Sequence, residues 1–310
     1  MNSIKVFAPA SVSNVACGFD VLGYPMDDVG DQLIIKKTPV KDLVITAIHG
    51  DNQLSRYKNE NVVTIAVQAL LDHLDSPPDF GFGFELTKKV KPGSGLGSSA
   101  SSSVAGVFGV NELLGRPYNK EKLVEFAMEG ERASSGVAHA DNVAPSMLGG
   151  FVLVRSYTPL DLIQLDYPKD LFTTVVHPQI EVKTSEAKKM LKKQIDLKDA
   201  ITQWGNVAGL VSGLAKADYG LISRSLKDVV AEPVRSMLIP YLAQAKQIAM
   251  DCGALGCSIS GSGPSIFALC RGKEIADKTA RAFKALYDQQ NIDSNVYVSS
   301  VNTKGAEVLE

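Results

Sequence analysis

Val90-Lys91-Pro92-Gly93-Ser94-Gly95-Leu96-Gly97-Ser98-Ser99-Ala100-Ser101-Ser102-Ser103 is the stretch around which the chain is organised. Glycines at 93, 95 and 97 leave no Cβ to hold a ligand off the backbone, and the serines after them open a long run of helix-compatible residues. The N–H groups of such a loop can turn toward one point. A helix beginning near Ser98 adds the unpaired donors of its first turn and the positive end of its dipole. The stretch is therefore expected to cradle phosphate, with a polyphosphate as guest. Two other cradles do not fit: Ser98 stands where a Walker loop needs Lys and where a dinucleotide fingerprint needs its third Gly. Taken alone, the glycines also suit a flexible loop ahead of a helix.

At 310 residues the chain is long enough for two domains, since single cores stop growing at about 250 to 300 residues. With 32 basic and 34 acidic side chains it has no basic field for nucleic acid, so an anionic ligand has to be held by local groups. Residues 1–5 lack the apolar core of a secretory signal, and no apolar run approaches the ~18 residues of a membrane span, so a cytoplasmic protein is expected. Cys17, Cys252, Cys257 and Cys270 include no C-x-x-C pair, which favours reduced, mostly buried thiols over zinc or a disulfide framework.

Upstream of the loop, residues 4–8, 33–37 and 43–48 read as strands. Between the first two lies the segment 9–23, where Asn14 and Asp20 sit among small and apolar residues. Buried polar groups need partners, so these two either cap their own turn or face a site. Asn61 can cap a helix carrying Val62, Ile65, Ala66, Ala69, Leu70 and Leu74, which Pro77-Pro78 would end. Strand 80–86 leads through Lys88, Lys89 and Lys91, most simply a solvated edge, though any of them could help hold phosphate.

Downstream, the helix after the loop runs to Gly115, and a second helix spans 123–131. His139, Asp141 and Asn142 fall within four positions of a small-residue loop, which suits either a polar site in an apolar wall or a surface turn. Strands at 151–155 and 160–165 follow. A second unit is expected from about residue 167, giving domains 1–166 and 167–310. It reads as a strand at 172–176, helices at 185–192 and 201–217, and Arg235 at the start of a helix running over 238–251. A strand, glycine loop and strand at 257–269, a helix at 274–290 and a strand at 296–301 complete it.

Three glycine- or serine-marked segments in this order, 9–23, 92–102 and 256–269, resemble the GHMP small-molecule kinases. Within that superfamily, residues 14–20, the run His139-Ala140-Asp141-Asn142-Val143-Ala144-Pro145 and the run Glu232-Pro233-Val234-Arg235 are similar to the homoserine kinase branch, and the likeness covers nearly the whole chain. The resemblance implies an α+β, two-domain fold: a nucleotide-binding N-terminal domain and a ferredoxin-like C-terminal α/β layer. It also implies transfer of the ATP γ-phosphoryl group to the side-chain hydroxyl of L-homoserine, giving O-phospho-L-homoserine for threonine biosynthesis. A homodimer would be usual.

By the same resemblance, Ser99 and Glu131 hold Mg²⁺, hard oxygen ligands for an ion that takes only one or two from protein. Asn61 matches the adenine-contacting position, and residues Pro92 to Ser102 the nucleotide loop. Asn14, Asp20 and His139 line the amino and hydroxyl end of the acceptor, and Arg235 forks onto its carboxylate. The family's second carboxylate-binding Arg falls at Lys188, which keeps the charge and loses the bidentate geometry unless Lys189 helps. Chemistry alone nominates Asp141 as general base. The resemblance argues otherwise: the position of the base proposed in related mevalonate kinases is Asn142 here, which cannot take a proton. On that basis Asn142 orients the hydroxyl, its proton passes to the transferred phosphate, and no side chain is the base. Another GHMP small-alcohol kinase, and a non-catalytic nucleotide or amino-acid sensor on the same scaffold, are the alternatives.

Overall fold

The computed structural model describes residues 1–180, 190–191 and 193–309. Six of the seven strands of the first sheet are β1 (Ser3–Ser13), β2 (Leu22–Thr38), β3 (Leu43–His49), β4 (Gly81–Thr87), β5 (Phe151–Tyr157) and β6 (Leu160–Leu165). β1 and β4 flank β2 antiparallel, β3 pairs parallel with β4, and β5 joins the start of β2 to β6. Alternation drives it: Ile4, Val6, Ala8, Leu33, Ile35, Phe82 and Phe84 all turn to one core.

That core is closed by α1 (Val62–Asp72), α2 (Ser98–Leu113), α3 (Lys120–Ser135) and α4 (Ala140–Leu148). Asn61 caps α1 as expected, its side chain accepting from Val63 N at 3.0 Å, but the helix ends at His73, ahead of Pro77-Pro78. α2 is small or apolar almost all round and is buried between α1, α3 and the sheet. At Gly109 a Cβ would come within 2.4 Å of Ile35 Cδ1, so close helix–sheet packing requires glycine there.

The second sheet comprises β7 (Leu171–Pro178), β8 (Gly256–Ile259), β9 (Ile266–Arg271) and β10 (Ser294–Ser300), antiparallel in the order β10-β7-β9-β8. This is the 4-1-3-2 order of a ferredoxin-like layer. α5 (Leu197–Lys216), α6 (Tyr219–Ser225) and the single turn α7 (Glu232–Arg235) precede α8 (Leu242–Cys252), and α9 (Lys273–Gln289) lies between β9 and β10. The helix expected over 238–251 therefore starts later, after a 3-10 turn at Ser236–Leu238 and Tyr241 at φ 62°. The helix expected over 185–192 falls mostly outside the described residues.

Leu22, Tyr24, Met26 and Phe151 of the first sheet pack with Leu171, Val175, Phe267, Leu210 and Leu214 of the second layer in one core. The chain then returns: Val301 bridges Met26, and a last strand, β11 (Glu307–Val308), pairs with β1. The four cysteines are free. Among the described residues no helix is long and apolar enough to cross a membrane.

Candidate active site

The three loop glycines do different work. Gly95 (φ 81°) has no room for a side chain, because a Cβ would lie 2.5 Å from Ser260 O and 2.8 Å from Gly263 O. Ser260 Oγ donates to Gly95 O at 2.7 Å and Ser265 N to Ser94 O at 3.2 Å, so the β8–β9 loop of the second layer braces the glycine loop of the first. Gly97 (φ 63°) begins α2, and a Cβ there would meet Ser11 Oγ at 2.4 Å and Asn142 Oδ1 at 2.8 Å. Being glycine, it has no side chain to cap the first N–H groups of α2, which remain available to an anion. Gly93 (φ 73°) has nothing within 4 Å of where its Cβ would be.

Lys88 is not a solvated edge. It is buried, ion-paired with Asp31, and donates to Ser98 O at 2.6 Å and Ser102 Oγ at 2.8 Å. Lys89 and Lys91 are exposed as expected.

His139, Asp141 and Asn142 are not in a loop either. His139 is the N-cap of α4, and Asp141 and Asn142 lie in its first turn. Pro145, inside this helix, offers no N–H to Asp141 O, and Gly23 packs against that carbonyl so tightly that a Cβ would overlap it. Two serines of β1 fix Asn142: Ser11 Oγ donates to Oδ1 and Nδ2 donates to Ser13 Oγ, both at 2.9 Å.

Asp141 is buried, and its Oδ1 has no hydrogen-bond partner among the described residues. Burial, and next the Asp20 charge, push its carboxyl up to about 7, against a smaller pull from the Ser13 hydroxyl. Tyr157 links these groups, its hydroxyl donating to Asp20 O at 2.8 Å and accepting from Ala140 N at 3.3 Å. His139 Nδ1 lies 3.6 Å from Asp20 Oδ1.

Asn14 both braces the turn and faces the cleft. Its Nδ2 donates to Gly261 O at 2.8 Å and its Oδ1 accepts from Asp20 N at 3.0 Å, holding Asn14 and Asp20 at positive φ. Arg235 is buried with its guanidinium 4.9 Å from the Phe19 ring centroid, and Nη1 donates to Gly261 O at 3.1 Å. Its Nε has no hydrogen-bond partner among the described residues. Burial lowers its pKa, while Asp20, Asp228 and Asp141 act to raise it.

One cleft of about 430 Å³ collects these groups. Asn14, Asp20, His139, Asp141, Asn142 and Arg235 line it together with Pro92, Gly93, Ser94, Gly95, Gly97, Ser98, Ser99, Ser102, Asn61 and Glu131. Leu96, Ala100 and Ser101, which the resemblance also assigned to the nucleotide, are buried and do not line it. The Asn61 amide is committed to Val63 N and Ser55 O. Lys188 and Lys189 lie outside the described residues. Ser99 and Glu131 share the cleft, and no group of three or more His, Cys, Asp or Glu side chains placed to hold a metal occurs among the described residues. That donor set fits a hard cation carried chiefly by phosphate and water, not one caged by protein. Sequence reasoning missed Ser11, Ser13, Phe19, Tyr157 and Asp31. Ser11, Ser13 and Phe19 flank motif residues already singled out, whereas Tyr157 and Asp31 carry no local pattern.

Comparison with known proteins gives the family. Residues 61–150 match the GHMP kinases N terminal domain and residues 210–289 the GHMP kinases C terminal domain. The chain is 47% identical to a homoserine kinase of Chlorobium phaeobacteroides, with all of both chains covered. It is 38% identical to one of Xylella fastidiosa, covering 98% of this chain and 94% of that one. A crystal structure of homoserine kinase from Cytophaga hutchinsonii superposes with a TM-score of 0.96 at 52% identity, covering 100% of this chain and 98% of that chain. With both domain models, the ferredoxin-like layer and full-length identity in agreement, the chain belongs to the GHMP kinases and, among them, to the homoserine kinase family.

Proposed function

We propose that this protein transfers the γ-phosphoryl group of ATP to the side-chain hydroxyl of L-homoserine, forming O-phospho-L-homoserine for threonine biosynthesis. The observation that carries the substrate assignment is Arg235: a buried guanidinium stacked on Phe19, with an unpartnered Nε, in the same cleft as the acids Asp20 and Asp141. A small molecule with a carboxylate at one end and an ammonium at the other satisfies both. The carboxylate takes the Arg235 fork, and the ammonium offsets the burial and, next, the Asp20 charge that hold the Asp141 carboxyl above its ordinary range. Asn14 and His139 complete that end, and Lys188 is a candidate for a second carboxylate contact.

Phosphoryl transfer through a loose transition state needs positioning and charge neutralisation more than covalent chemistry. Backbone amides of Gly93, Gly95, Gly97 and Ser98, those of the loop not bonded within it, supply donors for the phosphates, and Asn61 marks the adenine side. Ser99 and Glu131 would hold Mg²⁺, which when bound neutralises phosphate charge. Asn142, held between Ser11 and Ser13, orients the acceptor hydroxyl, an amide that cannot itself take the proton. No side chain acts as base, and the proton leaves with the transferred phosphate.

The division at 166/167 into a nucleotide half and a ferredoxin-like half, a cytoplasmic location and a homodimer belong to the same proposal; sedimentation equilibrium checks the last. ADP release coupled to NADH oxidation tests the reaction. It should be rapid with L-homoserine and at background without acceptor or with mevalonate or shikimate. Equal turnover with mevalonate, or none with L-homoserine, would refute the assignment, and an unchanged rate in Glu131→Ala would refute the metal role.

A further inference from the structure

Asp31 lies in the middle of β2 and is wholly buried. Its Oδ1 accepts from Lys89 N at 3.0 Å and Val90 N at 3.2 Å. Its Oδ2 accepts from Ser101 Oγ at 2.7 Å, Ser102 Oγ at 2.9 Å and the paired Lys88 ammonium. All five donors belong to residues 88–90 or 101–102, the two ends of the segment that contains the glycine loop. Lys88 repeats the link by donating to Ser98 O, and Ser98 Oγ closes it again on Val90 O at 2.7 Å. The loop between has few bonds of its own, Ser94 N to Lys91 O at 3.2 Å and Leu96 N to Ser94 Oγ at 3.4 Å, and three of its residues sit at positive φ.

We propose that Asp31, with Lys88, is a positioning residue for the nucleotide: one buried carboxylate clamps the neck of the loop and thereby sets where its amides point. This rests on the proposed binding of ATP phosphates at that loop. The clamp differs from a packing ion pair, which need not gather donors from both ends of one loop. It also makes a choice about charge. Lys88 lines the cleft, so if its role were only to attract phosphate, neutralising Asp31 would release it and tighten nucleotide binding. A clamp predicts the opposite. In Asp31→Asn, whichever way the amide sits, its NH2 would face donors, either Lys88 with the serines or the Lys89 and Val90 N–H groups, the buried ammonium would lose its counterion, and the neck would open.

The test compares wild type, Asp31→Asn and Ser101→Ala with Ser102→Ala by steady-state kinetics, thermal melting, and hydrogen exchange with and without a non-hydrolysable ATP analogue. For Asp31→Asn, KM for ATP should rise about tenfold or more, while KM for homoserine stays within about twofold at a temperature well below melting. Exchange of residues 91–98 should quicken in the free protein, while the C-terminal half of α2 keeps its protection. The serine double variant retains the ion pair and removes two hydroxyl donors to Asp31. It should show the same split at about two- to fivefold, so the idea stays testable if Asp31→Asn does not fold. An unchanged or lower KM for ATP, or equal rises in both KM values, would overturn the clamp. If the analogue fails to protect residues 91–98 even in wild type, the nucleotide-site reading falls and takes the clamp with it. Wild-type protection with no split in the variants sinks the clamp alone.

Discussion

Replacing Asp141 with Asn should stabilise the free protein, and by an amount that depends on pH in a definite sense. Asp141 is 2% exposed, and its carboxyl is raised from the ordinary 3.8 to about 7, chiefly by burial and then by Asp20. Because the folded value lies above the unfolded one, the folded protein keeps a proton that the unfolded chain has released. Stability therefore falls as pH climbs from about 4 to about 7, and the full cost is present above 7. Roughly three units at ~1.4 kcal/mol each set a ceiling of about 4 kcal/mol. By pH 5 about one unit has been spent, which leaves about 3 kcal/mol between pH 5 and pH 8. Urea unfolding of Asp141→Asn and wild type, without ligands, should give a gain about that much larger at pH 8 than at pH 5. Equal gains at the two pH values, or a larger gain at pH 5, would show that the carboxyl is not held neutral by its surroundings, and the argument for an ammonium between Asp20 and Asp141 would lose its basis.

The same group predicts a kinetic signature. Since a substrate ammonium favours ionised Asp141, kcat/KM for homoserine should rise as pH passes through about 7 while kcat at saturation does not, and Asp141→Asn should flatten the first; a kcat limb abolished in that variant would instead identify a base. Gly95→Ala puts a Cβ 2.5 Å from Ser260 O at φ 81° and should weaken ATP binding more than tenfold by titration calorimetry, whereas Gly93→Ala, with open space around it, should cost less; equal losses would contradict the brace from the second layer. Arg235→Lys keeps a charge without the fork and should raise KM for homoserine about tenfold or more with KM for ATP little changed, as initial-rate kinetics would read.

What was legible in the sequence was whatever a short window can hold. The alternating glycines, the Asn61 cap and the strand–glycine loop–strand at residues 257–269 declare themselves within a few positions, and the structure puts each where that local chemistry requires. Nothing near Lys88 marks it as buried, because its counterion, Asp31, is 57 positions away on β2, and three neighbouring lysines look alike until one of them is buried. α4 reads as a loop in the sequence because small residues and Pro145 oppose helix locally; packing against β1, β2 and α3 outweighs that preference. Tyr157 and Phe19 contribute through contacts with Ala140, Asp20 and Arg235 that only the assembled fold brings about.

The return of the chain's end to the first sheet has a mechanical consequence. The polypeptide crosses between the two halves twice, once between β6 and β7 and once between β10 and the Met26–Val301 bridge. A body attached at two points cannot swivel freely as it could on a single tether. Since the two sheets also share one hydrophobic core and the glycine loop is hydrogen-bonded to the β8–β9 loop, parting them would expose buried apolar surface as well as strain both crossings, which favours a cleft whose walls keep their spacing.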